Sequence, residues 1–591
     1  ASFVTAAYGL AAAVADEHDV SGRAAGILGA FFVAFAANLY VGVRLLAWLL
    51  PDGFVRPVAG ALGLPVEETL AWTPGDFYYW DASRIIEGTA NEFPLFAWLN
   101  GDLQGHMMSV NFLLLAVAVA YAYWRTPEGE LGRRRLLAFG LFPALAGLIA
   151  TVNTWSFPTF ALGVPFLTLT FAPARPWTLL PERAQSVLPA SAFETTDPVD
   201  SDGGTRTAAD LLRAEFARSV SALALAFGVL VLALAWASPF LLGSASSRPI
   251  GLFPPGASLG ALVVVHGAFL AAFVPYLAWR VSETRDGSLP TVAAGSLLLF
   301  GVGVALGANA VALVGPTLLV AWWLLRTRDG VGFETMLIVA GAGVVVLVEY
   351  VYVAEAVYAG TKLARFNTVF KLYAQVWALW APAAAVALVR LGAVGRGTFP
   401  SPNRARLAGA AQVLTVLLVV TTAAYGLLAV PAHFEAGSPT ANAQGPTLDA
   451  TAFVEVTHPD EAPAIEYVDG LEGQPTIVTA APAGYRWDAS AGQGASAPAS
   501  LTGVPTVAGW FHERQYRSPE AYEQRVADVQ TIYTGEPTAQ RSLIEQYEVE
   551  YVYVGPVERA KYGEITVDEL SNVRAVQRGD VTIYVVEEAD G

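Results

Sequence analysis

Long apolar runs separated by short polar stretches fill the first 431 residues of the chain. A bilayer core about 30 Å thick takes roughly 20 apolar residues as helix, and in lipid the backbone must satisfy its own polar groups. About twelve runs meet or approach that length, near 1–15, 25–50, 107–124, 136–152, 156–173, 217–242, 258–279, 291–308, 310–325, 332–350, 372–390 and 407–431. The pattern predicts an α-helical polytopic membrane protein with about 12 transmembrane helices. After Pro431 the period shortens: PTIVTAA, VPTVAGW, VEYVYVG and VTIYVVE alternate as half-buried strands do, with helical runs at AYEQRVADVQTIY and AQRSLIEQY between them. Residues 1–431 are therefore read as a transmembrane domain with a long loop at 51–106, and 432–591 as a separate α/β domain.

Charge divides the chain in the same way. The formal charge is −17, yet residues 432–591 alone hold 25 acidic against 9 basic side chains. That balance excludes nucleic acid as a partner of the tail, which would need clustered Lys and Arg. Arginines concentrate in alternate connections, at Arg125 with Arg133 to Arg135, Arg175 to Arg218, Arg280 with Arg285, Arg326 with Arg328, and Arg390 to Arg406. The positive-inside rule makes those loops cytoplasmic, so 51–106, 152–156, 243–257, 351–371 and the acidic domain face outward from the cell membrane. The polar stretch ERAQSVLPASAFETTDPVDSDGGTRTAAD reads as a flexible cytoplasmic insert. Only three Lys stand against 31 Arg, which with the acidic tail suggests a halophile's surface, and the absence of cysteine removes disulfides, thiolate metal sites and Cys nucleophiles.

Candidate chemistry lies on the outward connections. The first loop carries GDFYYWDASRIIEG and NEFPLFAWLNGDLQGHMM, which set Asp81, Arg84, Glu92, Asp102 and His106 among aromatic residues. Such a mixture suits an interfacial anchor. It equally suits carboxylates at the mouth of a membrane cavity, where Asp102, Asp81 and His106 would do acid/base work and Arg84 and Glu92 would bind substrate. A second cluster, EYVYVAEAVYAGTKLARFNTVFKLYAQ, offers Arg365, Asn367 and Lys371 for an anionic group such as a lipid phosphate, or for pairing with Glu349 and Glu355. Asn153 and Trp155 in TVNTWSFPT supply amide and indole donors, or simply cap a helix. In the tail, Trp510, His512 and Glu513 form part of an aromatic and charged surface of the kind that binds sugar, or that packs a domain. No Walker loop, H-E-x-x-H, G-x-S-x-G or dinucleotide fingerprint is present.

Together, YYWDASRII, NEFPLFAWLNGDLQGHMM, NTWSFPTF, ARFNTVFKLYAQVW, LTGVPTVAGWFHERQYR and YVYVGPVERAKYG resemble the YYY membrane proteins, an uncharacterised polytopic family of archaea and some bacteria. In architecture that family looks like the C-type (GT-C) membrane glycosyltransferases, which join a many-helix core to an extracytoplasmic domain and take sugar from a polyprenyl-phosphate carrier. The resemblance implies an upstream outer loop, with an acidic residue and an Asn-Tyr-Tyr-Tyr run, that this sequence does not contain. If that acid is the general base, part of the site lies outside the chain. Gln104 stands where the family's pattern leads us to expect His, which leaves His106 alone beside Asp102 and lowers the expectation of a metal centre. The implied function is inverting transfer of a sugar from a lipid-linked donor to a glycoprotein or glycolipid acceptor within membrane lipid. It needs no fixed cofactor, with a divalent cation as the one open addition. A flippase or transporter of a lipid-linked sugar, and a non-catalytic cell-surface assembly protein, are the alternatives.

Overall fold

The computed structural model describes residues 1–101, 104–185, 208–243, 249–284, 288–327, 330–355, 358, 360–395, 402–436, 445, 447 and 449–587. They fall into two compact units, one built chiefly from residues up to Pro431 and one from Ala432 onward.

The first unit is helical. In chain order its helices are α1 Ser2–Asp16, α2 Gly22–Ala34, α3 Tyr40–Leu49, α4 Asp52–Ala61, α5 Val66–Ala71, α6 Pro94–Leu99, α7 Gly105–Trp124, α8 Leu131–Val152, α9 Val164–Phe171, α10 Leu212–Gly243, α11 Leu259–Glu283, α12 Leu289–Ala305, α13 Asn309–Thr327, α14 Phe333–Tyr350, α15 Phe366–Gly392 and α16 Pro402–Ala436. Among the described residues eight are long and apolar enough to cross a bilayer: α7, α8, α10, α11, α13, α14, α15 and α16. α1, α2, α3 and α12 are apolar but shorter.

Eight of the twelve expected runs are thus helices of spanning length among the described residues, and two breaks account for two of the other four. The run 25–50 is interrupted at Phe35–Leu39, where the buried Asn38 turns its side chain on backbone groups. Its amide donates to the Ala82 carbonyl at 2.6 Å and its oxygen accepts the Tyr40 N–H at 3.1 Å. The backbone freed by the break is satisfied by neighbouring helices: Ala37 N–H donates to Thr422 O and Leu39 N–H to Val264 O. The run 156–173 holds Pro158 and Pro165, and its backbone widens to i→i+5 bonding over Thr159–Gly163 before the short α9.

α14 and α15 form the centre of this unit. The most apolar window of α15 is 89% buried, so protein surrounds the helix on nearly every side. Gly341 of α14 lies so close to the Trp380 indole that a Cβ there would collide, and the indole N–H donates to Ile338 O at 3.1 Å. The 18 residues of α14 span about 27 Å. Glu334 and Glu349 therefore mark opposite ends of the bundle.

The second unit holds a four-stranded sheet. Calling the pair Ile250–Leu252 and Val351–Val353 in the first unit β1 and β2, the sheet strands are β3 Thr476–Val478, β4 Val549–Val554, β5 Val573–Arg578 and β6 Val581–Val586, in the order β3-β4-β6-β5. β3 is parallel to β4 and the remaining pairs are antiparallel. Helices α17 Ala462–Asp469, α18 Pro519–Thr534, α19 Pro537–Gln546 and α20 Pro556–Tyr562 belong to the same unit. VPTVAGW does not become a strand: Thr506 and Trp510 make isolated bridges to Ile477 and Ala483. VRAVQR, unassigned from its alternation, is β5.

Candidate functional site

At the Glu349 end of the bundle, the start of α7, the turn after α8 and the start of α15 meet beneath the folded first loop. Gly105 allows the approach, because a Cβ there would strike the Val152 carbonyl. The turn is built on Asn153. Its buried side-chain amide donates to Ser109 Oγ at 3.0 Å and Ser156 Oγ at 2.9 Å, while Gln375 Nε2 of α15 donates to Ser156 Oγ at 3.1 Å. Ser109 of α7, Asn153 and Ser156 of the turn and Gln375 of α15 thus share one hydrogen-bonded network, which links the three helix ends.

On this frame stand several residues picked out from the sequence. The Lys371 ammonium lies 5.0 Å from the centroid of the Trp155 ring and within electrostatic range of His106, whose imidazole packs 4.2 Å from the Phe370 ring. Glu92, His106, Phe370 and Ala374 enclose a void of only about 10 Å³, so these side chains are packed together and do not ring an open cavity. Arg84 approaches Glu92 at 3.5 Å and covers the rings of Trp80 and Phe366 at 4.8 and 5.7 Å. The loop is tied to the segment before α15 by Lys362, which bonds Glu87 at 2.7 Å beside Gly88, a residue of positive φ that has no room for a Cβ. The result is a patch whose two cations, exposed Arg84 and half-buried Lys371, can meet an anion, beside the buried carboxylate of Glu92 and the buried imidazole of His106.

Other candidates lie apart from this patch. Asp81, half-buried, sits 4.0 Å from the buried Arg44 guanidinium. Its burial pushes the carboxyl above the ordinary aspartate range; Arg44 opposes that rise and Glu68 adds to it. Arg365 turns inward and pairs with Glu349 at 2.6 Å, both being buried, and Glu349 also accepts the Ala257 N–H at 2.7 Å. The structure therefore gives Arg365 the ion-pair partner rather than an open face. Asn367 is half-buried in the first turn of α15. Asp102 lies outside the described residues, as do residues 186–207 of the polar insert at 182–210.

In the second unit, Trp510 donates from its indole to Ala495 O at 2.7 Å, and His512 Nε2 is 2.7 Å from the Tyr485 hydroxyl. Glu513 accepts the Gly509 N–H at 2.9 Å and pairs with Arg517 at 2.8 Å. Among the described residues no three His, Asp or Glu side chains are grouped as metal ligands.

Ser109, Ser156 and Gln375 were not singled out from the sequence. Gln375 had a readable signal, since a primary amide inside an apolar span needs a partner there. A second constellation was missed altogether, at the opposite end of α14 and α15. Glu334 there accepts from Arg390 at 2.6 Å, from the Tyr276 hydroxyl at 2.6 Å and from Gly332 N–H at 3.0 Å, and meets His18 at 3.0 Å. His18 lines a cavity of about 600 Å³ together with Asp16, Trp124, Arg125 and Phe171.

Compared with known proteins, residues 1–380 match the model of a family described as an uncharacterised membrane protein, DUF2298. No curated protein matches the chain.

Proposed function

This chain belongs to the uncharacterised membrane protein family DUF2298, and we propose that it is a membrane glycosyltransferase of GT-C type that takes sugar from a polyprenyl-phosphate carrier at the outer membrane face. The observation that carries the reading is the patch where Arg84, Glu92, His106, Asn153, Trp155 and Lys371 gather at one end of three helices. A phosphate-linked donor in the membrane presents an anion at that depth, which two cations beside aromatic faces would hold.

Transfer with inversion breaks the bond from the anomeric carbon to the phosphate oxygen and forms one from that carbon to an acceptor heteroatom. The electron pair of the broken bond stays on the phosphate, where Lys371 and Arg84 stabilise it. The acceptor proton passes to a carboxylate, Asp102 on this reading, because Asp81 sits with Arg44 apart from the patch. The acidic unit, on this reading, lies outside the cell membrane and binds the acceptor.

The test is transfer from radiolabelled polyprenyl-phosphate sugars by the full chain in liposomes. Lys371→Gln is expected to lower turnover about 100-fold, and Asp102→Ala about 100-fold or more, with thermal stability retained. A well-folded chain that binds the donor and transfers nothing would sink the proposal. The second reading, a transporter of a lipid-linked sugar, draws on the 600 Å³ cavity and its His18–Glu334–Arg390 network at the other end of the bundle. Movement of labelled donor across proteoliposomes without bond cleavage would favour it.

A further inference from the structure

A groove in the second unit departs from the charge around it. Residues 432–591 hold 25 acidic and 9 basic side chains. The groove, about 550 Å³ in volume, is nevertheless lined by Arg486 and Lys561 and by no carboxylate among the described residues. Placing two of nine cations and none of the acids at one concavity is the arrangement of an anion site.

Its walls suit a particular anion. Tyr485 is 72% exposed as a residue, and its ring stands at 85° to Trp510 with centroids 4.9 Å apart. The hydroxyl bonded to His512 fixes its direction. Phe511 adds a second aromatic surface 6.1 Å away at 76°. Lys561 donates to Pro482 O at 3.2 Å, which holds the ammonium at the rim, and burial draws it below the ordinary lysine range. At Gly484 a Cβ would meet only the Phe511 ring, at 4.0 Å, so any longer side chain there would grow into the groove. Exposed aromatic faces take the C–H face of a pyranose, and cations at the rim take its acid group.

We propose that this groove binds an acidic saccharide, with a sugar ring on Tyr485 and its carboxylate or sulfate held by Arg486 and Lys561. A long polyanion such as nucleic acid would run onto the surrounding carboxylates, whereas a short saccharide meets only the groove. The inference deepens the transferase reading, and rests on it, in making that saccharide the acceptor. The same chemistry could arrive on a lipid or on a protein.

The experiment is calorimetric binding of tetragalacturonate and of neutral maltotetraose to the full chain in detergent, at physiological salt. Tetragalacturonate is expected to bind about tenfold tighter than the neutral tetramer, and Arg486→Gln and Lys561→Gln are each expected to weaken it about tenfold. Tyr485→Ala should weaken both saccharides. Gly484→Leu should block binding without changing the melting temperature, and Arg574→Gln, exposed and paired with Glu587, should change nothing. The tetramer coupled to a lipid in liposomes and to a peptide then assigns the carrier, by whichever conjugate binds more tightly than the free form. Equal affinity for both tetramers, binding of neither, or an equal loss in Arg574→Gln would overturn the site. Acidic-saccharide binding without sugar transfer would overturn the transferase alone. Transfer by a chain that ignores acidic saccharides would overturn this groove alone.

Discussion

At the scale of single residues, the inward turn of Arg365 is the clearest lesson. Its sequence surroundings fit a phosphate ligand, but a guanidinium at the end of two helices takes the nearest carboxylate when both are sealed from water, and Glu349 is that group. Glu349→Gln would leave Arg365 buried and uncompensated. Removing one partner of a buried pair costs about 3–5 kcal/mol, so a marked drop in the melting temperature of the detergent-solubilised protein is expected. An unchanged midpoint would mean that water reaches the pair. Lys371→Gln, at a half-buried position over Trp155, should melt close to the parent. The patch itself was partly legible. Arg84, Glu92, His106, Asn153, Trp155 and Lys371 all stand out as polar or aromatic groups at span ends, whereas Ser109 and Ser156 look like ordinary small residues until the Asn153 amide is seen to bond both.

Among the elements, α20 carries a group whose protonation ties helix to sheet. Glu558, buried in its first turn, accepts the Gly555 N–H at 3.0 Å and the Ala480 N–H, just beyond β3, at 2.8 Å. Burial outweighs those two donors and, with a smaller push from Glu461, lifts its carboxyl from 4.5 to about 7. A folded-state value above the unfolded one means that the folded unit binds the proton more tightly. The resulting stability is fully present below about pH 4.5, is lost as pH rises through about 7, and is constant above. The shift corresponds to about 3 kcal/mol. The second unit should therefore melt higher at pH 5 than at pH 8, and Glu558→Gln should flatten that difference; a slope that survives the substitution would assign it to another group. Elements were legible where one signal governed them, as in α14, α15, β4 and β6. They failed where an apolar run breaks. Asn38 lies at the break in a run that hydropathy reads as continuous, and the prolines at 158 and 165 lie in the run that ends in α9.

For the whole molecule, membrane location follows from the family and from eight apolar helices, while orientation rests on where arginines fall. Arg125 follows the end of α7, and Arg280, Arg326 and Arg390 lie near the ends of α11, α13 and α15, so the charges that separate the two sides of the sequence also gather at one end of the bundle. Not all are free to sense the membrane potential or lipid headgroups. Arg134 is fully buried on Tyr123, Thr178 and Arg175 O, and Arg218 on Thr170 O and Ala172 O. The positive-inside bias therefore draws on fewer exposed cations than the sequence count implies, which makes a direct test worthwhile. The chain has no cysteine, so single cysteines report cleanly. Thr361→Cys beside Lys362, Ala527→Cys on α18 and Arg133→Cys at the arginine-rich end are all at exposed positions. In intact cells a membrane-impermeant maleimide is expected to label the first two and to reach Arg133→Cys only after permeabilisation. The reverse pattern would turn the Lys371 patch toward the cytoplasm and remove the basis for an outer-face transferase. Labelling of Thr361→Cys without Ala527→Cys would separate the acidic unit from that face and leave its groove no access to an external acceptor.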